Sequence, residues 1–335
     1  MVSTRNGTTN GPSNGATSAR HLYNQEIHHI DSSEYAKESK AVPSELMAEA
    51  ITYLHQDGII VLDNAIDTAH LAALESILGP EAEVVARDPD HHFNFGYETR
   101  NMDQAPPLAA ELMFDDVWAN PIAMAILRNV LGPDLVCHYA NGNTALQATG
   151  RQPVHADIDK PHPMYPFAYV LNIALCDVTA ENGATEIWVG SHRESNIDQH
   201  TSADGEQGLT IKPEILKERR YHSPPIQPST EKGSLMIRDV RLWHAGMPNG
   251  SDQPRIMLAF VVQPKWFQAP SKVLLPLKAK SLVERWYAET GLEYNAEWVD
   301  GDVDHRKVTS DEVDFSTRNE KLLELEALMH WPVHR

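Results

Sequence analysis

The stretch from residue 133 to 265 constrains the fold most, because it consists of short apolar runs separated by Gly, Pro and Asn. The runs are DLVCHYANG, PFAYVLNIALCDV, ATEIWVGS, GSLMIRDVRLWHAG and RIMLAFVVQ. Runs of this length, bounded by turn-forming residues, are typical of strands in a many-stranded β core. The sequence therefore predicts a mainly β fold with flanking helices, of the jelly-roll or a similar barrel type.

Three segments before this core have the spacing and the end signals of helices. SELMAEAITYLHQD begins at Ser44, has apolar residues at helical intervals and stops at a glycine, after which GIIVLDNA has the pattern of a strand. DTAHLAALESILG begins with Asp67 as a capping residue and is expected to end at Gly79. NPIAMAILRNVLG begins with Asn120 followed by proline, the arrangement expected of a helix N-terminus.

The two ends of the chain differ from the middle in composition. Residues 1–40 are rich in Ser, Thr, Asn and Gly, which predicts a disordered tail. Residues 41–270 are expected to form one jelly-roll domain with N-terminal helices, and residues 271–335 a helical extension packed on the barrel. Apolar residues within 318–331 make that extension a candidate subunit contact, so the sequence predicts a homodimer.

Charge and cysteine content restrict the partners and the compartment. The formal net charge is −19, which argues against binding to nucleic acid or to anionic membranes, because both require basic patches. Cys137 and Cys176 are the two cysteines, and both have apolar neighbours, which predicts buried free thiols in a reducing compartment. The sequence has neither a signal-peptide pattern nor a membrane-spanning apolar run. We therefore expect a cytoplasmic protein with a small-molecule partner.

One pair of polar residues in the β region has the spacing of metal ligands. In RQPVHADIDKPH, His155 and Asp157 are two positions apart, and such residues on a strand share a face, roughly 6–7 Å apart. The 17 histidines repeat this spacing at His29 and His55, with a near match at His192. His29 lies in the polar leader, His55 ends a predicted helix, and His192 is more typical of a histidine that fixes a loop. Context therefore favours His155.

A third ligand and a basic partner follow downstream. His244 ends the run GSLMIRDVRLWHAG, and two imidazoles with one carboxylate from separate strands form the facial triad of non-haem Fe(II) oxygenases. Arg255 begins the apolar strand RIMLAFVV, where a buried guanidinium requires an anion. Its planar group suits two-point pairing with a carboxylate of a dicarboxylic cosubstrate. Gln152 is close enough in sequence to His155 to donate to the same molecule.

Together these segments resemble the phytanoyl-CoA hydroxylase family of Fe(II)/2-oxoglutarate-dependent dioxygenases, including its branch in fungal secondary metabolism. The matching segments lie between about residues 45 and 263: DGIIVLDNA, QPVHAD, VLNIALCDVTAENGATEIWVGSH and WHAGMPNGSDQPRIMLAF. The resemblance implies a double-stranded β-helix, which is a jelly roll, and it assigns residues 41–270 to a dioxygenase domain.

The resemblance also implies cofactors and site residues. Fe(II) is the implied metal, 2-oxoglutarate the cosubstrate and O2 the oxidant. The implied iron ligands and catalytic residues are His155, Asp157 and His244. The implied cosubstrate contacts are Arg255, Gln152, Asn172 and Thr185. One position departs from the family pattern, because relatives often carry a hydroxyl residue where this chain has Gly246. A cosubstrate hydrogen bond is therefore absent or comes from elsewhere.

The implied activity is oxidation of a small organic molecule by hydroxylation, desaturation or a related C–H oxidation, in secondary-metabolite biosynthesis. The carboxylate of Asp157 argues against the halogenating variant, in which a small residue replaces it. Two alternatives stay open. One is a metal-dependent cupin-type isomerase or hydrolase, in which Arg255 would form a structural ion pair. The other is a catalytically silent barrel that binds a ligand.

Residues 91–101, HHFNFGYETRN, alternate aromatic and polar side chains at Phe93, Phe95 and Tyr97. This alternation is the pattern of a strand and usually reflects core packing. A wall of the substrate site is the alternative interpretation.

Overall fold

The computed structural model describes residues 26–36, 42–203, 206–310 and 313–322. Within these ranges the helices are α1 (Ser33–Ala36), α2 (Ser44–Asp57), α3 (Thr68–Val85), α4 (Asp115–Trp118), α5 (Pro121–Leu131), α6 (Pro213–His222) and α7 (Lys280–Thr290). The strands are β1 (His28–Asp31), β2 (Ile59–Asp63), β3 (Asn101–Asp103), β4 (Leu135–Ala145), β5 (Tyr169–Ala174), β6 (Glu186–Ile187), β7 (His200–Ala203), β8 (Glu206–Ile211), β9 (Leu235–Asp239), β10 (His244–Ala245), β11 (Arg255–Pro264), β12 (Val273–Pro276), β13 (Leu292–Tyr294) and β14 (Ala296–Val299). None of the helices in these ranges combines the length and apolar character needed to cross a membrane.

An eight-stranded sheet forms the body of the fold, as the apolar runs predicted. Its order is β1, β2, β9, β5, β11, β4 and β13, and β3 also pairs with β4. The strands from β2 to β4 in this order are antiparallel, whereas β1 and β13 are parallel to their neighbours at the two edges. Neighbours in the sheet are mostly not consecutive in the chain, which is the connectivity of a jelly roll rather than of a meander.

The alternation of side chains along β11 separates the core from the cavity. Ile256 and Leu258 belong to the main hydrophobic cluster, in which the sheet packs against helices α2, α3, α5 and α7. Arg255, Met257 and Ala259 point to the opposite face and line a cavity. Because side chains on a strand alternate between faces, one strand contributes to both the core and the cavity.

A second layer lies across the cavity from the main sheet. β6 and β10 form an antiparallel pair. His155 joins this layer through a bridge to His244, in which each backbone N–H donates to the carbonyl oxygen of the other residue at 2.9 Å. Trp188 and Trp243 are buried in this layer. The backbone pairing therefore places the two imidazoles side by side.

Helix α3 extends beyond the glycine at which the sequence predicted its end. It continues through Pro80 to Val85. Ala82 and Val85 lie after the proline, and they pack with Met102 and Leu146 in a buried cluster. The packing of these residues outweighs the local preference of Gly and Pro to end a helix.

The strand predicted for residues 91–101 is wrong for most of its length. Phe95 has a backbone φ of 60° and Gly96 a φ of 91°, and both values lie outside the extended region. Tyr97–Thr99 forms a turn of 3₁₀-helix. A regular strand begins only at Asn101–Asp103, where pairing with β4 is available.

Part of the tail predicted to be disordered belongs to the fold. His28–Asp31 forms β1, which pairs in parallel with β2. Ile27 and Ile30 are buried, and the Ser32 hydroxyl donates to the carbonyl oxygen of Asp63 at 2.6 Å. A tail composition that predicts disorder thus includes a short apolar segment with a strand partner. Residues 1–25 and 37–40 of the predicted tail lie outside the described residues.

The extension after residue 270, predicted to be helical, has mixed structure. It contains α7, but also β12 paired with β14, and β13 joins the main sheet beside β4. Most of the apolar segment 318–331, the predicted subunit contact, lies outside the described residues, which end at Leu322. The contribution of that segment to a dimer stays a prediction.

Candidate metal centre

Two histidines and one aspartate meet between the two layers. Nε2 of His155 and Nε2 of His244 lie 3.7 and 3.4 Å from Oδ1 of Asp157. The two imidazole ring centroids are 4.2 Å apart. The three ligand atoms lie within 4.8 Å of one another, so one metal ion can contact all three. Within the described ranges, no other group of three or more His, Cys, Asp or Glu side chains has this arrangement.

The local backbone differs from the regular strand that the i, i+2 argument assumed. His155 forms an isolated bridge, and Asp157 lies in a loop. The Asp157 backbone N–H donates to the carbonyl oxygen of Val240 at 2.9 Å, just as His155 bonds to His244. Both side chains therefore face the same site, because Val240, just after β9, and His244, in β10, each bond to the backbone of this loop.

Hydrogen bonds fix both imidazoles in the tautomer that a metal requires. Nδ1 of His155 lies 2.9 Å from the carbonyl oxygen of Pro153, and Nδ1 of His244 lies 3.0 Å from that of Leu242. A carbonyl can only accept, so at His155 Nδ1 carries the proton and Nε2 keeps its lone pair. Nδ1 of His244 also lies 3.3 Å from Nη1 of Arg238, which can only donate, but the shorter contact to Leu242 favours the same tautomer there. Such a backbone acceptor behind the ring is the usual support of a metal-binding histidine.

Arg238, in β9, is a site residue that the sequence interpretation missed. Its Nη2 donates to Oδ2 of Asp157 at 2.6 Å, and the guanidinium is buried. This contact holds one carboxylate oxygen and leaves Oδ1 facing the imidazoles of His155 and His244. The signal was present, because Arg238 interrupts the apolar run LMIRD as Arg255 begins another.

Burial and charge set the protonation states that metal binding needs. Burial, with His244 nearby, lowers the pKa of His155 to about 3, so this imidazole is neutral at neutral pH. Burial acts to raise the pKa of Asp157, but Arg238 and His244 outweigh it and hold that pKa well below its usual range. Metal ligands must be deprotonated to bind, and this carboxylate and imidazole already are.

The other histidines with similar spacing lie elsewhere. His29 is on the surface, where Nδ1 lies 3.0 Å from a carboxylate oxygen of Asp63. His192 is buried, and its Nε2 lies 3.2 Å from the carbonyl oxygen of His55, so it fixes a loop against α2 as expected. None of the three lines the cavity that contains His155.

A cavity of about 290 Å³ opens beside the three ligands. The four residues predicted to contact a cosubstrate all line it: Arg255, Gln152, Asn172 and Thr185. Its apolar wall comes from Tyr139, Val170, Val261 and Phe315, among others. Ser310, Val313, Phe315 and Ser316 contribute to the lining, although the sequence placed everything after residue 270 outside the barrel. The C-terminal segment is therefore part of the site.

Arg255 is buried without a partner for its charge. Its side chain is 2% exposed, its Nε has no hydrogen-bond acceptor, and it forms no ion pair with any described residue. Burial lowers its pKa to about 10. An isolated buried cation is costly, and a bound anion relieves that cost. The structural ion pair required by the cupin alternative is absent from the part of the chain that the structure describes.

Comparison with known proteins identifies the family. Residues 54–257, more than half of the chain, match the family model described as phytanoyl-CoA dioxygenase (PhyH). The chain belongs to this family. Residues 155, 157 and 244 lie inside the matched range, and so does Arg255.

Solved structures confirm the predicted fold. One is the epimerase SnoN in complex with Fe³⁺, alpha ketoglutarate and nogalamycin RO, with 18% identity, a TM-score of 0.51, and coverage of 66% of this chain and 85% of that one. Another is EctD from S. alaskensis with 2-oxoglutarate and 5-hydroxyectoine, with 20% identity, a TM-score of 0.50, and coverage of 76% and 86%. The fold of this chain is thus the jelly roll of these enzymes.

Position 246 departs from the pattern expected of the phytanoyl-CoA dioxygenase family, and the position of the Gln152 side chain explains why a glycine stands there. The Gly246 backbone N–H donates to Oε1 of Gln152 at 2.7 Å. A Cβ at position 246 would lie 2.5 Å from that Oε1, so a serine would require Gln152 to move. With Oε1 occupied, the amide NH₂ of Gln152 is the group left to donate to a ligand in the cavity.

Proposed function

We propose that this member of the phytanoyl-CoA dioxygenase family uses Fe(II) and 2-oxoglutarate to oxidise a C–H bond of a small organic molecule. The proposal rests on two features that occur together. A preorganised His/Asp/His cluster and a buried, unpaired guanidinium line the same cavity. A metal that keeps open coordination positions and a dicarboxylic cosubstrate account for both features, whereas a metal-only hydrolase accounts for the first alone.

The residues present fit the iron site on three counts. Nε2 of His155, Nε2 of His244 and Oδ1 of Asp157 converge, the imidazole protons point away, and Arg238 occupies the second carboxylate oxygen. Iron bound there would supply the redox chemistry of O2 activation, with 2-oxoglutarate as electron donor. Three protein ligands leave coordination positions for cosubstrate and O2.

Four residues would position 2-oxoglutarate. Arg255 would bind the distal carboxylate through two parallel hydrogen bonds, which its planar guanidinium favours over a single contact. Gln152 would donate from its amide NH₂, and Asn172 and Thr185 would complete the polar side of the cavity. These contacts would orient the cosubstrate towards the three ligands.

The cavity supports a small and largely apolar substrate. A volume of about 290 Å³ is near the lower end for small-molecule sites, and the cosubstrate must share it. Tyr139, Val261 and Phe315 offer apolar contacts, while the net charge of −19 disfavours a polyanionic coenzyme A ester. We place the reaction in secondary-metabolite biosynthesis on the sequence resemblance to the fungal branch of the family.

We further propose a cytoplasmic homodimer, with the dioxygenase domain at residues 41–270 and with Ser310, Val313, Phe315 and Ser316 completing its cavity. The free thiols of Cys137 and Cys176 support a reducing compartment. The dimer proposal rests on the apolar residues of 318–331. Light scattering at micromolar concentration tests it, and a monomer would contradict it.

The test of the activity is 2-oxoglutarate-dependent succinate formation with Fe(II) and ascorbate. We expect wild type to form succinate and to bind one Fe(II) per chain. The variant His155→Ala should lose both, whereas His29→Ala, which changes a surface histidine, should keep both. Metal binding without any 2-oxoglutarate turnover would favour the cupin-type alternative. Absence of both would favour a silent barrel.

A further inference from the structure

Phe95 lies against one of the metal ligands. Its ring centroid is 4.5 Å from that of His155, with the two planes inclined by 50°. The side chain lines the cavity, yet it is 37% exposed. An aromatic ring that is both solvent-exposed and in contact with a ligand imidazole stands at the opening of the cavity.

The backbone of Phe95 is in a conformation that its side chain disfavours. Its φ is 60°, in the left-handed region, where the Cβ of a non-glycine residue crowds the following carbonyl oxygen. For a bulky residue this is an outlier, and such outliers persist only when the surroundings impose them. The following Gly96, with a φ of 91°, lets the chain turn directly after the ring.

The loop around Phe95 is held by a dense set of hydrogen bonds. The Asn94 N–H donates to the carbonyl oxygen of Asn101 at 2.8 Å, and the Gly96 N–H to that of Phe93 at 3.0 Å. Oγ1 of Thr99 lies 2.8 Å from the carbonyl oxygen of Asn94. These contacts fix the backbone on both sides of Phe95, so the strained residue is supported by its neighbours.

Core packing does not account for a phenylalanine at this position. Among the described residues, Phe95 belongs to none of the hydrophobic clusters, whereas Phe93 packs with a buried one. A glycine would satisfy the same φ without crowding. The aromatic side chain therefore needs a reason other than stability, and its position beside His155 supplies one.

We propose that Phe95 is the specificity-determining residue of the cavity opening: its ring limits the size of the group that approaches the metal beside His155. The proposal deepens the proposed function, because it assumes that a metal binds His155, Asp157 and His244. The ring lines the same cavity as the apolar side chains of Val261 and Phe315. Small or flat groups reach the open metal positions, and bulky groups are held back.

The test uses the full chain loaded with Co(II), whose visible absorption reports the binding of exogenous ligands. Imidazole is the small probe and 4-phenylimidazole the bulky probe. In Phe95→Gly we expect 4-phenylimidazole affinity to rise about tenfold relative to imidazole, which corresponds to about 1.4 kcal/mol of relieved clash. Phe95→Leu should give a smaller rise. Phe93→Leu is the matched control from the same loop and should leave the ratio of the two affinities unchanged.

Thermal unfolding of the same proteins provides the second measurement. Phe95→Gly should melt no lower than wild type, because release of the strained φ offsets loss of the partly exposed ring. An unchanged affinity ratio, or a Phe95→Gly protein that melts well below wild type, would overturn the proposal. These outcomes do not depend on succinate formation, so failure of the proposed activity is distinguishable from failure of the role of Phe95.

Discussion

Arg238 donates a 2.6 Å hydrogen bond to one carboxylate oxygen of Asp157, and the other oxygen faces the imidazoles of His155 and His244. The two side chains of this ion pair are 6% and 26% exposed. The guanidinium therefore has two effects at the centre. It restricts Asp157 to one free oxygen, and it compensates the buried negative charge when no metal is bound.

The first prediction concerns Arg238→Met, which removes the charge but keeps an apolar side chain. Loss of one partner from a buried ion pair costs roughly 3–5 kcal/mol, because the other charge stays buried. A bound divalent metal supplies a replacement positive charge. We therefore expect excess Mn(II) to recover more of the free energy of unfolding in Arg238→Met than it adds to wild type. Urea unfolding with and without Mn(II) measures this difference.

The matched control is Arg285→Met. Arg285 pairs with Asp115 on the surface, where the two side chains are 42% and 54% exposed. Such a pair contributes only about 0–1 kcal/mol, and its loss should not depend on Mn(II). The proposed role of Arg238 would be contradicted in either of two cases. The first is that Arg238→Met loses as little free energy of unfolding as Arg285→Met, and the second is that Mn(II) stabilises Arg238→Met no more than it stabilises wild type.

The second prediction concerns the N-terminal segment. A truncation that begins at residue 26 keeps β1, whereas a truncation that begins at residue 37 removes it together with buried Ile27 and Ile30. Burial of an isoleucine side chain contributes about 1.5–3 kcal/mol. We expect the shorter protein to lose roughly 3–6 kcal/mol in its free energy of unfolding relative to the longer one, measured by denaturant unfolding. Equal stability of the two truncations would contradict the assignment of β1.

The third prediction concerns the pH dependence of stability at Asp103. Burial raises the pKa of Asp103, although hydrogen bonds from the Ser310 backbone N–H and hydroxyl and the nearby His92 and His91 act in the opposite direction. A carboxyl group whose folded-state pKa is raised contributes stability below its unfolded pKa and loses it as the pH rises through the folded value. This contribution should therefore disappear towards neutral pH.

An asparagine at position 103 cannot ionise, so the variant Asp103→Asn does not lose this stability as the pH rises. We expect the free energy of unfolding of Asp103→Asn, minus that of wild type, to increase as the pH rises from about 3 to about 7. Denaturant unfolding at a series of pH values measures the difference. A constant difference, or one that decreases with pH, would contradict the direction assigned to Asp103.

The parts of the fold that the sequence predicted are those in which local pattern and long-range packing agree. β5, β9 and β11 are apolar runs bounded by turn formers, and they form the centre of the sheet. The predicted end of α3 at Gly79 and the predicted strand over residues 91–101 were wrong because contacts distant in sequence decide them, whereas the predicted cap at Asp67 is confirmed. Ala82 and Val85 find a buried cluster beyond Pro80, whereas the aromatic alternation near Phe95 has only an isolated bridge from Phe93 to Met102 before β3 begins at Asn101.

The site residues also divide into those that local sequence predicts and those that depend on contacts distant in sequence. His155, Asp157 and His244 were predicted from residue type and order, although His155 forms only isolated bridges, one of them to β10, and Asp157 lies in a loop bonded to Val240 rather than in a regular strand. Arg238 was missed because its role depends on a carboxylate far away in the sequence. An arginine within an apolar run indicates a buried anion, but it does not say whether that anion is a side chain or a ligand.

The most direct test of the account is the 2-oxoglutarate dependence of succinate formation in wild type, Arg255→Ala and Arg255→Lys, with iron content and folding measured in parallel. In the proposed binding mode, removal of Arg255 would leave the distal carboxylate of 2-oxoglutarate unpaired in a buried site, which would cost on the order of 2–5 kcal/mol. The apparent KM for 2-oxoglutarate should rise roughly 30-fold or more in Arg255→Ala while iron content stays near wild type. Arg255→Lys should have an apparent KM between those of wild type and Arg255→Ala. Its ammonium keeps the positive charge but cannot make the planar two-point contact. An Arg255→Ala protein that folds, holds iron and keeps an unchanged dependence on 2-oxoglutarate would contradict the account.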